Sequence, residues 1–381
     1  MLAARTSADE RALSGARLAA WVRRGAIAGV VLCFAVVVLG AYVRLTAAGL
    51  GCPDWPGCYG HVTPPSVKQS AAATAAYPNR PLEGGKAWRE MIHRYAAGTL
   101  VCIVLVIVTF AIATRRSRLV SFRHAIALLA IVLFQALLGM LTVTWRLTPL
   151  VVTLHLLLGM TTLATLWWLW LSMPNTSRDS RSAGGRGTQV PVATPSRALR
   201  TAYWLALAGL AALILQIALG GWTSTNYAAV ACPDFPTCQA AWWPRMDYRN
   251  AFVLWRGLGI SYEGGVLDNT ARVAIHLTHR LGAIVATLAL ITAGVFVITR
   301  PALSVARTAA YAVLAALAVQ LTIGISMVLK GFPLPLATAH NAGAALLLLA
   351  ALALMQQLRQ ARREGDSTAT AVHCVPVQLV H

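Results

Sequence analysis

The stretch GAYVRLTAAGLGCPDWPGC, residues 40–58, returns 180 residues later as GGWTSTNYAAVACPDFPTC, residues 220–238. Each copy closes an apolar run and carries a Cys-Pro-Asp-aromatic-Pro-x-Cys core. The correspondence continues along the chain. FQALLGMLTVTW followed by LVVTLHLLLGM holds Gln135, Gly139 and His155, and VQLTIGISMVLK followed by PLATAHNAGA holds Gln320, Gly324 and His340, each with Gln and His 20 residues apart. EMIHRYAAG, with His93 and Arg94, answers HLTHRLGAI, with His279 and Arg280. The offset grows from 180 to about 186, so a few residues are inserted in the second copy of the loop. What is duplicated is half a protein.

The setting follows from composition. Of 381 residues, 57% are hydrophobic and only 12% charged, and apolar runs of about 18 residues or more are long enough to cross the hydrocarbon core of a bilayer. Such runs predict helices near 27–46, 91–113, 122–143, 151–172, 201–223, 271–298, 304–329 and 336–357. The expected fold is an all-α integral membrane protein with eight transmembrane helices, arranged as two pseudo-symmetric four-helix bundles. Each half has an even number of spans, so the halves run parallel, related by an axis along the membrane normal.

The net charge of +20 would suggest nucleic acid as a partner in a soluble protein. Its distribution points to the bilayer instead. Nineteen of the 32 basic residues, among them Arg23, Arg24, Arg123, Arg197, Arg200, Arg300 and Arg359, fall before span one, between even and odd spans, or after span eight. By the positive-inside rule both termini face the cytoplasm and the Cys-bearing loops face outward. The first span is read as retained rather than as a cleaved signal, because its equivalent, span five, ends in the same way and cannot be one. The expected organisation is a cytoplasmic segment 1–26, an N-terminal half 27–172, a Ser-, Gly-, Pro- and Arg-rich linker 173–200, a C-terminal half 201–357 and a cytoplasmic tail 358–381, disordered after Arg363.

His93, His155, His279 and His340 each begin an even-numbered span, so all four lie at one depth near the outer surface. Imidazoles inside hydrocarbon are uncommon and functional by default, although a single one is often a hydrogen-bonded packing residue. Two per half on different helices is the way facing helices grip a metal or a haem. Zinc would want further ligands, whereas a bis-imidazole haem needs only two, so haem is preferred to a bare metal. Arg94 and Arg280 either snorkel to the interface or pair with haem propionates. His276, three residues before His279, shares its helix face and competes as a ligand. Glu90 stands at the corresponding place before His93, an acid where the second half has histidine. It reads either as a helix-start carboxylate or as a group serving one haem only.

Cys52 with Cys58 and Cys232 with Cys238 are close enough in sequence to pair, and an oxidising exterior favours disulfides. A structural clamp is preferred to a redox-active pair, since nothing nearby clearly depresses a thiol pKa. Cys33, Cys102 and Cys374 read as unpaired, and Trp167, Trp168 and Trp170 as an interfacial belt.

Eight spans in two halves, the Glu-x-x-His-Arg opening of span two, histidines on spans four, six and eight, and paired loop cysteines resemble the haem A synthases, the bacterial CtaA family related to mitochondrial Cox15 proteins, over residues 27–357. The resemblance implies a haem-dependent membrane oxidoreductase of the bacterial cytoplasmic membrane that oxidises the C8 methyl of haem O to the formyl of haem A for cytochrome oxidase. It implies haem b as cofactor on His279 and His340, the substrate haem framed by His93 and His155, and Glu90 acting in catalysis. Cys52 and Cys58 match the family's loop disulfide; the resemblance does not require Cys232–Cys238 of every member, and His276 lies outside the pattern. Besides the lipid bilayer, haem O synthase, an electron donor and a second copy of the chain are the partners considered. The competing expectation is a di-haem membrane cytochrome b that moves electrons and alters no haem, using the same histidines.

Overall fold

The computed structural model describes residues 2–113, 122–173 and 197–373. Its long helices are α1 (Leu2–Leu45), α2 (Gly84–Ala113), α3 (Phe122–Thr144), α4 (Pro149–Ser172), α5 (Arg197–Thr225), α6 (Asn269–Thr299), α7 (Arg307–Leu329) and α8 (Leu334–His373). All eight are long and apolar enough to cross a membrane. Among the described residues there is no strand, only two isolated bridges.

Every expected span is present, but several helices exceed their apolar runs. α1 begins at Leu2 rather than near 27, α2 at Gly84 rather than 91, and α8 continues past 357 to His373. Hydropathy marks only the part of a helix that lipid selects. The flanking segments, such as QQLRQARRE after Met355, are rich in Gln, Leu, Arg, Ala and Glu, good helix formers that extend the rod into water. The stretch after Arg363, expected to be disordered, is therefore helical up to His373, while residues 374–381, including Cys374, lie outside the described residues. So do 174–196 of the expected linker, with Arg178, Arg181 and Arg186, and the basic residues Arg115, Arg116 and Arg118.

The helices end alike in the two parts of the chain. At the end of α1, Ala47 takes φ +49° and Ala48 N–H reaches back to the Val43 carbonyl at 2.9 Å. At the end of α5, Tyr227 takes φ +54° and Ala228 N–H reaches the Thr223 carbonyl at 2.9 Å. Both are helix stops with a left-handed residue and a six-to-one hydrogen bond, which satisfy carbonyls the helix leaves over. The turns α3–α4 and α7–α8 repeat the device, with Leu147 N–H to Thr142 O at 2.9 Å and Phe332 N–H to Met327 O at 2.8 Å.

α1 packs on α2 and α4, and α3 lies between α2 and α4. α5 packs on α6 and α8, and α7 lies between α6 and α8. The two sets meet through α1–α8, α4–α5 and α4–α8. A single apolar core fills the end away from the Cys-bearing loops, running from Val30 and Leu128 through Leu163 and Leu166 to Leu210, Leu290 and Leu354. Trp167 belongs to this join: its Nε1 donates to Leu349 O at 2.9 Å and its ring stacks on Trp170. Trp168 lies under Arg359. The cluster thus contributes packing between α4 and α8 as well as an edge of aromatic rings.

At the loop-bearing end the second loop crosses to the first set of helices. Tyr262 N–H donates to Arg146 O at 3.1 Å, Trp255 meets Trp145 edge-on, and Glu263 pairs with Arg80 at 3.0 Å. The residues that lengthen the second copy of the loop therefore cover the α3–α4 turn.

Candidate functional site

The two loops share one plan of disulfide and aspartate turn. Cys52–Cys58 and Cys232–Cys238 are disulfides with Cα atoms 4.8 and 4.6 Å apart. Asp54 accepts from Tyr59 N–H at 2.6 Å and Gly60 N–H at 2.7 Å; Asp234 accepts from Gln239 N–H at 2.6 Å and Ala240 N–H at 3.0 Å. The Thr237 hydroxyl donates to Asp234 as well and, with these N–H groups, holds its carboxyl below the usual carboxylate range.

Each loop is fastened by the arginine that follows a histidine. Arg94 Nη1 donates to the carbonyls of Asp54 at 2.9 Å, Pro56 at 3.2 Å and Gly57 at 2.5 Å. Arg280 donates to Thr237 O at 2.7 Å, Asp234 O at 2.8 Å and Cys232 O at 3.1 Å. Charge-assisted bonds from one planar fork to several carbonyls fix a loop far better than a flexible ammonium could. Most guanidinium donors expected to meet propionates are thereby engaged with the loops.

Beneath the loops the helices part around a cavity of about 1680 Å³, lined by His93, His155, His279, His340, His276 and Glu90, with mostly apolar walls otherwise. Pockets for one drug-sized ligand measure about 300–1,000 Å³, so this space exceeds what one such molecule needs. All four rings line this one space, His93 and His155 from α2 and α4 and His279 and His340 from α6 and α8.

Each of these four rings rests on a glycine of the preceding helix. A Cβ at Gly40 would stand 2.9 Å from the His93 ring, at Gly139 3.2 Å from His155, at Gly220 3.1 Å from His279 and at Gly324 2.9 Å from His340. Only a residue without Cβ leaves room for an imidazole there. One turn earlier, three of the four helices carry glutamine. Gln135 Nε2 donates to His155 O at 3.0 Å, Gln216 Nε2 to His279 O at 2.9 Å and Gln320 Nε2 to His340 O at 3.0 Å. The same amide nitrogens lie 3.0–3.4 Å from a ring nitrogen of their histidine. A residue four before the glycine shares its helix face, so Gln-x-x-x-Gly is one device used three times. In α1 the glutamine position holds Val36.

Glu90 is buried (4% exposed). Its Oε2 accepts from Cys52 N–H at 2.9 Å and its Oε1 pairs with Arg94 Nη2 at 2.5 Å. His276 takes the equivalent place: its Nε2 accepts from Arg280 Nε at 3.3 Å. Among the described residues Glu90 is the only carboxylate lining the cavity. An acid and a neutral ring thus perform the same bracing, and one of them can also carry a proton. Cys33, buried at the cavity wall, and exposed Cys102 are unpaired as expected.

The paired imidazoles fit a haem better than a bare metal. Nδ1 of His93, His155 and His340 is buried without a protein partner, and Gln216 occupies His279 Nδ1 while leaving Nε2. Among the described residues no three His, Cys, Asp or Glu side chains converge as a metal site, so two-imidazole ligation is the arrangement available. Gln216, the glycine sockets at 40 and 220, and Arg44, whose guanidinium spans α1 and α5, were not singled out by sequence reasoning. Gln216 could have been, since it precedes Gly220 by the same four residues that separate Gln135 from Gly139.

Residues 23–352 match the COX15-CtaA family, described as cytochrome oxidase assembly protein. The chain is 41% identical to a protein named heme A synthase from Shewanella oneidensis, over 82% of this chain and 89% of that one. Proteins of the same name from Methylobacterium sp. (30% identical; 91% and 94% covered) and Rhizorhabdus wittichii (27%; 84% and 89%) are similar over nearly the whole length too.

Proposed function

Because the chain belongs to the COX15-CtaA family of cytochrome oxidase assembly proteins, we infer that its cavity serves haem A synthesis, the oxidation of the C8 methyl of haem O to a formyl group within the membrane. The protein is a multi-pass, haem-linked oxidoreductase, similar to bacterial heme A synthases. A pure electron carrier would use the same histidines and would need Glu90 only as a loop brace, a task that the neutral His276 performs in the other half.

The division of labour rests on one observation: the two imidazole pairs are held differently. His279 and His340 are both clamped by glutamine, whereas of the other pair only His155 is. A ligand whose orientation is fixed by an outer hydrogen bond holds metal more tightly. We assign the resident haem b to His279 and His340 in a C-terminal half, 201–357, and the haem O substrate to His93 and His155 in an N-terminal half, 27–172. His93, next to Val36 rather than a glutamine, is the ligand that can yield when substrate arrives and product leaves. The two halves are taken as pseudo-symmetric, a reading the repeated helix ends, glycine sockets and loops support.

Bound haem b supplies the redox chemistry that protein side chains lack. The chain supplies the rest. The apolar wall and the two disulfide-closed loops limit water, and the glycine sockets and glutamines set the imidazole planes. Glu90, one turn from His93, can accept or release a proton at Oε1 or Oε2 beside the substrate. Both termini are assigned to the cytoplasm and the loops to the opposite side, on the excess of arginine at the loop-free end.

Expression in cells with and without a haem O source, followed by identification of the extracted porphyrins, tests this reading. A formyl-bearing haem should appear only with the source. If no such product forms under either condition, the synthase assignment fails.

A further inference from the structure

The cavity contains a cation that neither loop uses. Arg44 lies one turn beyond Gly40 on α1 and reaches across to the end of α5. There its Nη2 donates to Ser224 O at 2.8 Å and Thr225 O at 3.4 Å, and its guanidinium lies 4.1 Å from the Tyr227 ring centroid. Both side chains line the cavity. Arg44 Nε and the Tyr227 hydroxyl are each buried without a hydrogen-bond partner. Among the described residues the other two arginines of the cavity wall are occupied, Arg94 by Glu90 and loop carbonyls and Arg280 by His276 and loop carbonyls. Glu263, on the second loop, is paired with Arg80.

A half-buried guanidinium and a phenol with unused donors, side by side in an apolar cavity, lack an anion. Charged groups out of water need a partner, and a donor pair of this kind suits a carboxylate, which accepts from both. The pair takes one member from each half: at the offset of 180, Arg44 corresponds to Ser224 and Tyr227 to Ala47. Arg44 lies one turn beyond the His93 socket at Gly40, its partners Ser224 and Thr225 one turn beyond the His279 socket at Gly220, and Tyr227 just past the end of α5. Resting on the haem reading above, we propose that Arg44 and Tyr227 form a carboxylate clamp at the junction of the halves that binds a haem propionate. The loop arginines then serve mainly to hold the lids, and Arg44 discriminates a haem with free carboxylates from one without.

Full-length protein purified from haem-limited cells is titrated with haemin and with haemin dimethyl ester, in which both propionates are blocked, following the Soret band. The unaltered protein should bind the diacid at least about tenfold more tightly than the diester, the order expected for one charge-assisted hydrogen-bond set. Arg44→Gln should erase most of that preference by weakening the diacid alone. Unchanged diester binding shows that the variant is folded. Tyr227→Phe, which removes one oxygen, should erase part of the preference, and it decides the matter if Arg44→Gln binds neither form. Repeating the titration in His155→Ala and His340→Ala proteins tells which haem the clamp serves, because the preference persists where that haem's site remains. Equal binding of diacid and diester by the unaltered protein, or a preference retained in both clamp variants, overturns the clamp. Failure of the unaltered protein to bind either form overturns the haem reading itself.

Discussion

Gln216 donates through Nε2 to the main-chain oxygen of His279 at 2.9 Å and stands 3.0 Å from the Nδ1 of the same ring. One amide thus ties the helix position of the ligand to the orientation of its imidazole. Replacing Gln216 with valine, the residue that α1 carries at the same place, should lower haem b affinity about 10- to 100-fold, the usual effect of losing an outer-shell partner. Haem per protein after purification and washing measures it. Retention equal to the unaltered protein would remove the argument that clamping marks the resident site.

The ligands themselves should separate the halves more sharply. His279→Ala or His340→Ala should yield protein nearly free of haem b, since a bis-imidazole haem that loses an axial ligand loses much of its anchorage. His93→Ala should keep haem b and lose substrate turnover. Pyridine haemochrome analysis of each purified variant reads the difference, and loss of haem b from His93→Ala would reverse the assignment of the two sites.

The glycine sockets make a steric prediction. A methyl group at Gly324 would meet the His340 ring at 2.9 Å, against 3.2 Å for Gly139 and His155. Gly324→Ala must move an imidazole, and overpacking of this kind costs about 1–3 kcal/mol. We expect reduced haem b content and a lower unfolding temperature, with a milder effect from Gly139→Ala. Equal behaviour of the two would mean that the helices, rather than the rings, give way.

Much of this site was legible because it is written twice. Comparing the halves pairs His93 with His279, His155 with His340, and Gln135 with Gln320. It hides a finer repeat, in which every helix hairpin carries a glycine on its first helix and a histidine on its second, with glutamine before the glycine in all but the first. Gln216 has no glutamine to match in the other half, so a comparison of halves passes over it. The loop roles of Arg94 and Arg280 were not legible for a different reason. Their partners are main-chain carbonyls, present at every residue, and only the path of the loop selects which ones an arginine meets. The contact of Arg44 with Ser224 likewise depends on how two helix ends lie side by side. Helix lengths were missed where polar helix formers continue beyond the lipid-selected core.

Asp234 gives the second loop a pH dependence. Hydrogen bonds from the Thr237 hydroxyl and from the Ala240 and Gln239 N–H groups hold its carboxyl below the ordinary range. A carboxylate depressed in the folded state adds stability above its unfolded pKa, about 3.9 for aspartate, and that contribution disappears as pH falls through the lower folded value. The Gln239 and Ala240 amides should therefore stay protected from hydrogen exchange at neutral and mildly acidic pH and open only in stronger acid. Asp234→Ala should leave them open throughout.

Glu90 holds two roles that one substitution can separate. Its carboxylate braces the first loop through Cys52 N–H and Arg94, and among the described residues it is the one acid lining the cavity. Alanine would remove both functions and leave the cause of any defect ambiguous. Glutamine keeps an oxygen that can accept from Cys52 N–H or from Arg94, so the loop and the Cys52–Cys58 disulfide should persist, yet it cannot take up a proton at neutral pH. Glu90→Gln should therefore retain haem b and the binding of haem O while formyl production falls, by about a hundredfold or more if the carboxylate acts in proton transfer. A loss of rate with binding unchanged identifies a group needed in the transition state rather than for association. If Glu90→Gln makes haem A at the normal rate, the carboxylate is a loop brace alone, as His276 is in the other half. The reaction's protons must then leave by a path that does not involve it.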